Sequence, residues 1–378
     1  MDNFFYDFKD NLIRQYATCP AYKFLCDHQG FNPSVNLNTE KDLEAVPYIA
    51  TTLFKKSAQM FTYLLRVPME NIDKWTVSSS TSGDPSIVGR RKCDLMQMER
   101  FNELNQEIFR PGSSQECVFY PEPEVMKNYR SEVIYGKRTE SYMGNLLDMF
   151  HFNEDTIYLV KQRGEELMVD LEEFEGFLKT HDGFAHHLSI RGSTPLIYNA
   201  VKTMKEKMKP VMLGENVLIH TGGGGWDGKK GSVSIGASIH RKEFVECVSH
   251  FLGIPQKNFI DSYSFTENSF PITGHYSPKY QDYLFHIPTW GQIIIRDIQT
   301  LEPLHKPGDR GFIQMLNAYG TSTFAGASII VDDIAEIVSM EECPDCKEKG
   351  MTLKIIGRVK GAEAKGCGAT LNVGGARA

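Results

Sequence analysis

"PVMLGENVLIHTGGGGW", residues 210–226, carries a short apolar run, Val217-Leu218-Ile219, that stops at His220-Thr221 and four consecutive glycines. So short a run, ending in Gly, reads as a buried strand feeding a loop. "RKEFVECVSHFLG" (241–253) is the next helix, and "KNFIDSYSFTENS" (257–269) is another strand running into a polar loop. Upstream, "FFYDFKDNLIRQYA" (4–17), "LMVDLEEFEGFLKTH" (167–181) and "TPLIYNAVKTMKEKM" (194–208) place apolar residues at helical spacing. Strands alternating with helices, each strand closing on a Gly-rich or polar loop, predict an α/β fold whose site lies along the carboxyl edge of the sheet. After residue 284 the pattern changes. "YLFHIPTWGQIIIRDI", "GFIQMLNAYG", "ASIIVDDIAEIV" and "MTLKIIGRVKG" are short strands with turns, so the last quarter is expected to be β-rich.

The chain has 378 residues, 41% hydrophobic and 24% charged, which suits a globular protein of one or two domains. Its net charge of −7, without a basic stripe, argues against nucleic-acid binding. The opening "MDNFFYDFKDN" lacks the cationic-then-apolar pattern of a signal peptide, and no apolar run is long enough to span a bilayer. A cytoplasmic location is expected, with the eight cysteines mostly reduced. Polar, charged "SMEECPDCKEKG" (339–350) reads as a joint, dividing a core domain, 1–338, from a short mobile C-terminal segment, 339–378.

Several stretches are candidates for chemistry, each with a plain loop, turn or surface residue as the alternative, and taken alone 78–83 reads better as a surface loop. "TVSSSTSGDPSIVGRR" (76–91) crowds Ser78, Ser79, Ser80, Thr81, Ser82 and Gly83 together. Small residues leave backbone N–H groups open to an anion, and hydroxyls add donors, although the P-loop spacing is absent. Gly222, Gly223, Gly224 and Gly225, ahead of Trp226, would let a backbone lie flat against a planar ligand or a phosphate. Thr266 and Glu267, at a strand end, pair a hydroxyl with a hard oxygen ligand suited to phosphate and Mg²⁺. Asp332 and Asp333 follow an apolar run, where a carboxylate can grip ribose hydroxyls. Cys367 stands between Gly366 and Gly368, two residues after Lys365, as an exposed thiol favoured toward thiolate would. Cys343 and Cys346 form half of a zinc knuckle. No second Cys pair or nearby His pair completes it in sequence, so any further ligands, such as Cys247 with His250, must come from a distance.

Taken in order, these pieces resemble the adenylate-forming superfamily, which activates carboxylates with ATP. "SSSTSG" is similar to its phosphate loop, "TGGGGW" to its adenine segment, "YSFTE" to its Tyr-Gly-x-Thr-Glu segment, and Asp333 to its ribose-binding Asp. Arg358 matches the Arg at the junction with the mobile part. A narrower resemblance, spanning almost the whole chain, is to LuxE-type acyl-protein synthetases, related to the phenylacetate–CoA ligase type. It rests on "LFKK" (53–56), "SSSTSG" (78–83), "HTGGGGW" (220–226), "VDDI" (331–334) and "KGC" (365–367).

The resemblance implies an acyl-CoA synthetase-like fold and an AMP-forming ligase for a carboxylic acid, a fatty acid in that family, with ATP and Mg²⁺. It implies Thr266, Glu267 and Arg358 as catalytic residues and Glu267 as the Mg²⁺ ligand. The loop 78–83, the glycines 222–225, Trp226 and Asp333 would bind nucleotide. Cys367 would carry the acyl group as a thioester for a reductase-like partner. Ser80 replaces a common Gly, no Lys follows Pro85, and only a short segment follows Arg358, unlike CoA ligases. An acid–CoA ligase with CoA as acceptor, or a nucleotide-binding subunit without catalysis, are the competing readings.

Overall fold

The run Val217–Ile219 lies inside one large mixed sheet. The computed structural model describes residues 4–78, 84–109, 115–164, 166–184, 186–224, 226, 229–230, 233–234 and 238–358. Strand Val217–Gly222 pairs in parallel with Leu188–Gly192 on one side and with Phe259–Tyr263 on the other. Gln115–Phe119 and Ile157–Tyr158 extend this parallel half outward. Beyond Phe259–Tyr263 the sheet turns antiparallel through Ile272–Ser277, Asp282–His286, Thr352–Arg358, Ser328–Ser339, Arg310–Asn317, Gly291–Asp297 and Pro303–Leu304. The α/β class and the β-rich last part are thus as expected, joined in a single sheet.

The helices follow from where their apolar side chains can go. Arg241–Leu252 buries Phe244, Val245, Val248, Phe251 and Leu252, while Thr194–Lys207 buries Ile197, Val201 and Met204. They share one core with Ile190, Ile219 and Phe259 of the parallel strands. Each such side chain withdrawn from water stabilises the fold by roughly 1.5–3 kcal/mol. The helix expected over 167–181 starts only at Leu171. Asp170 caps it by accepting the Glu173 N–H at 3.0 Å, and Glu166–Val169 pairs as a strand with Val160–Arg163. Lys92–Phe109 is a helix without a clean apolar stripe, because its buried face includes Asn102 and Asn105. The amino-terminal helices Phe4–Thr18 and Pro20–His28 pack Phe8, Leu12 and Tyr22 against Leu316 and Ile329 of the antiparallel half.

The segment expected as a joint, 339–350, connects two strands of the same sheet. Thr352–Arg358 returns to pair with both Ser328–Ser339 and Asp282–His286. Among the described residues no helix is long and apolar enough to cross a membrane. Ser79–Gly83, Gly225 and Cys367 lie outside the described residues.

Candidate active site

The hydroxyl-rich stretch sits on a hairpin. Strand Lys74–Val77 pairs antiparallel with Ile87–Arg90, and the hairpin's base is closed by reciprocal bonds. Ser78 N–H donates to the Ser86 carbonyl at 3.0 Å, and Ser86 N–H donates to Ser78 Oγ at 2.8 Å. The Leu-Phe-Lys-Lys segment holds the returning limb. Lys56 N–H donates to the Pro85 carbonyl at 2.9 Å, and Asp84 accepts the Ser57 N–H and hydroxyl at 2.8 and 2.6 Å. The loop 79–83 therefore springs from a fixed base, even though Thr-Val-Ser-Ser alone would read as pliable surface chain.

Glu267 lies against that base. Its carboxyl is 3% exposed, and burial pushes it above the usual range. The nearby Ser86 hydroxyl and the positive charges of Lys55 and Arg90 oppose the rise. Arg90 is wholly buried and pins the backbone around Glu267, with Nη2 donating to the carbonyls of Thr266 at 2.7 Å and Asn268 at 3.0 Å. Its Nη1 donates to the Gly320 carbonyl at 3.2 Å. The same loop begins at Tyr263, whose hydroxyl donates to Asp333 Oδ2 at 2.7 Å. Asp333 sits inside the long strand Ser328–Ser339, at an irregularity in its pairing with Arg310–Asn317, and Arg358 is its backbone partner on the next strand. Strand pairing thus sets Asp333 beside Arg358, and Tyr263 ties that pair to the Thr266-Glu267 loop.

The glycine loop follows the next parallel strand. Gly223 and Gly224 have φ of +80° and +72°, left-handed conformations that suit glycine. A Cβ on Gly223 would stand 3.3 Å from the Tyr120 hydroxyl, so the backbone passes close to that ring. The loop is held from below by Asp261, which accepts Thr221 Oγ1–H at 2.8 Å and Trp226 Nε1–H at 3.2 Å. Burial lifts the Asp261 carboxyl to about 6 despite these bonds and the nearby Arg241. Trp226 packs its ring against Phe244 and Tyr283, with the Arg241 guanidinium over it at 5.2 Å. Its observed partners are therefore those of an anchor for the loop.

The structure brings together Ser78, Thr266, Glu267, Asp333 and the backbone of Arg358, and puts Gly222 at the end of the adjacent parallel strand with Gly223 and Gly224 just after it. Sequence reading missed Ser86, Lys55 and Tyr263 as partners, and Arg90 as the buried pin, because each acts through a residue far away in the chain. Cys343 and Cys346 fall elsewhere, on the antiparallel half. The expectation that no His pair completes them is corrected, since His275 and His286 on two adjacent strands supply one. Cys247, weighed as a distant ligand, instead faces Lys205 Nζ at 3.7 Å.

The model of the LuxE acyl-protein synthetase family matches residues 3–374. The chain is 24% identical over 372 residues to a long-chain-fatty-acid–luciferin-component ligase of Aliivibrio fischeri, covering 96% of this chain and 87% of that one. Among solved structures it resembles 2-hydroxyisobutyryl-CoA ligase in an open conformation with 2-HIB-AMP and CoA. That match has a TM-score of 0.64 at 14% identity, over 93% of this chain and 73% of the other. The postadenylation state of the same enzyme, with R3-HIB-AMP, gives a TM-score of 0.66 at 13% identity, over 94% and 67% of the two chains. At such identities these structures establish the fold, that of adenylate-forming acyl-CoA ligases. With the family match spanning nearly its whole length, the chain belongs to the LuxE acyl-protein synthetase family.

Proposed function

We propose that the protein activates a long-chain fatty acid with ATP and then carries the acyl group on its own Cys367. The substrate class is carried over from the Aliivibrio fischeri relative's name. The observation that carries the reading is the junction at Arg90. This buried arginine, on the returning strand of the hydroxyl-rich hairpin, donates to the Thr266 and Asn268 carbonyls on either side of the buried Glu267, in a loop whose Tyr263 also reaches Asp333.

In the first half-reaction a carboxylate oxygen of the acid bonds to the α-phosphorus of ATP, and the bond to the β-phosphate bridging oxygen breaks. The products are an acyl-adenylate and pyrophosphate. The loop 78–83 and Thr266 hold the phosphates through N–H and hydroxyl donors, and Asp333 accepts the ribose hydroxyls. Tyr263 keeps the Asp333 carboxylate oriented. Glu267 fits a cation site, because a carboxyl whose charge is penalised by burial gains from a bound cation. Mg²⁺ there would supply charge neutralisation for the phosphates.

In the second half-reaction the Cys367 thiolate attacks the acyl carbonyl, and AMP leaves. The thiol must reach a site from which water is excluded, since water would hydrolyse the mixed anhydride. The segment that moves lies beyond Arg358, because Thr352–Arg358 is paired along its length with Ser328–Ser339. The thioester is then offered to a reductase-like protein. Incubation with ATP and labelled fatty acids, followed by intact mass, tests the reading. A hydroxylamine-labile acyl group on Cys367 is expected. Soluble acyl-CoA formed only when CoA is added would replace this reading with a CoA ligase.

A further inference from the structure

Two histidines and two cysteines from three parts of the chain meet on the antiparallel half of the sheet. Strands Ile272–Ser277 and Asp282–His286 form a hairpin in which His286 pairs with Thr273 and His275 pairs with Leu284. Side chains alternate along a strand, so this register puts His275 and His286 diagonally on one face. Their rings lie 5.2 Å apart and nearly parallel. The 339–350 connection supplies the other two groups. Its Cys-Pro-Asp-Cys turn is tight: Cys343 N–H donates to the Glu348 carbonyl at 2.7 Å, and Lys347 N–H donates to the Cys343 carbonyl at 3.1 Å. Lys347 takes a left-handed φ of +67° to close it.

One ligand atom from each of His275, His286, Cys343 and Cys346 falls within 4.8 Å of all the others. The measured contacts have the size that a tetrahedral ion imposes. With zinc bonds of about 2.0–2.1 Å to nitrogen and about 2.3 Å to sulfur, the edges are roughly 3.3–3.4 Å between nitrogens and roughly 3.5–3.6 Å from nitrogen to sulfur. His275 Nδ1 stands 3.1 Å from His286 Nε2, and His286 Nε2 stands 3.5 Å from Cys346 Sγ. The remaining pairs lie within 4.8 Å.

The surroundings also suit an ion. His275 Nε2, the nitrogen turned away from the cluster, lies 3.3 Å from Asp345 Oδ2. A carboxylate there accepts the Nε2–H and fixes the tautomer whose Nδ1 lone pair faces the other three donors. This is how outer partners orient metal-ligating histidines. Two nitrogens and two sulfurs form a donor set that selects zinc over hard cations, and four protein ligands leave no open position for chemistry.

We propose that His275, His286, Cys343 and Cys346 bind one zinc ion in a closed structural site. The ion staples the 339–350 connection onto the hairpin beneath it. That hairpin otherwise pairs with strand Thr352–Arg358 only through Phe285–Leu353 and His286–Thr352. The staple therefore holds the near end of the strand whose far end sets Arg358 opposite Asp333. It is independent of which acid or acceptor the enzyme uses.

The test is metal analysis of the full chain, purified under reducing, chelator-free conditions and dialysed against a mild chelator. About one zinc per chain is expected in wild type. Cys346→Ser and His286→Ala are each expected to lose at least nine-tenths of it, while Cys93→Ser, an exposed thiol outside the cluster, keeps it. Should either cluster variant fold poorly, wild type alone decides. A mercurial thiol reagent should release one equivalent of zinc to a chromophoric chelator. Cobalt(II) added to the reduced apoprotein should give the absorption of a tetrahedral thiolate site. Wild type with less than a tenth of an equivalent of zinc and no cobalt uptake overturns the proposal. So does full zinc retained in folded Cys346→Ser and His286→Ala, which would put the metal elsewhere.

Discussion

Tyr263 illustrates how a single hydroxyl can set a site. It donates to Asp333 across 70 residues of chain and so orients the carboxylate proposed above to accept the ribose hydroxyls. A charge-assisted contact of that kind is worth roughly 1.5–3 kcal/mol, so Asp333→Ala should weaken ATP binding by about tenfold or more. Tyr263→Phe removes this one hydrogen bond and leaves the carboxylate in place, and should cost only a few-fold. Calorimetric titration with ATP checks both, and an unchanged affinity in Asp333→Ala removes that residue from the site. Asp261 gives a prediction in pH. Its carboxyl, raised by burial to about 6 in the folded chain, titrates near 3.9 when unfolded. The folded state holds the extra proton between those values, so this group's contribution to stability falls as pH rises through the window, by up to about 3 kcal/mol. Urea unfolding of wild type against Asp261→Asn should show wild type losing ground from about pH 4 to about pH 6 and no further change above about pH 7. A flat difference would mean that Asp261 titrates normally.

At the scale of elements, the fold rests on strands and helices whose ends are fixed by specific residues. Helix Arg241–Leu252 stops at Gly253, in a left-handed conformation with φ of +64°. A Cβ there would stand 2.7 Å from the Val211 carbonyl oxygen, so an L side chain is excluded twice over. Gly253→Ala should cost about 1–2 kcal/mol for the backbone alone, and more from the clash, measured by urea unfolding. A neutral result would show that the helix end can relax. The parallel half was legible in the sequence because its strands are short apolar runs, each closed by Gly or polar residues, with amphipathic helices between them. The helix Lys92–Phe109 was not, because Asn102 and Asn105 occupy its buried face and hydrogen-bond there, to the Met98 carbonyl and to Thr273. Glu267, Thr266 and Asp333 could be picked out by residue type at a strand end and by the family motifs. Ser86 and Arg90 could not, since what matters about them is the carboxyl and the carbonyls they meet in space. The His275–His286 pair was hidden for the same reason, as only the hairpin register puts the two rings on one face.

At the scale of the molecule, one sheet joins a parallel and an antiparallel half. Its parallel half ends in the glycine loop and the Thr266-Glu267 loop, while its antiparallel half carries Asp333 and Arg358 and, at the other end of the Arg358 strand, the His/Cys cluster. The Tyr263–Asp333 bond ties the two halves, so the nucleotide site proposed above would draw on both. The proposed acyl carrier, Cys367, lies beyond Arg358 and apart from those nucleotide-site residues in sequence. The two half-reactions should therefore separate genetically. Cys367→Ser should still form acyl-adenylate but hold no hydroxylamine-labile acyl group, and a fully acylated variant would remove Cys367 as the carrier. The central claim, that acid activation occurs where the hairpin base meets Glu267, is tested most directly by fatty-acid-dependent exchange of labelled pyrophosphate into ATP. The account predicts exchange in wild type and a fall of about a hundredfold in Glu267→Gln, whose neutral amide no longer offers a carboxylate to the cation. Exchange in Glu267→Gln at the wild-type rate, with saturating acid and Mg²⁺, would contradict it.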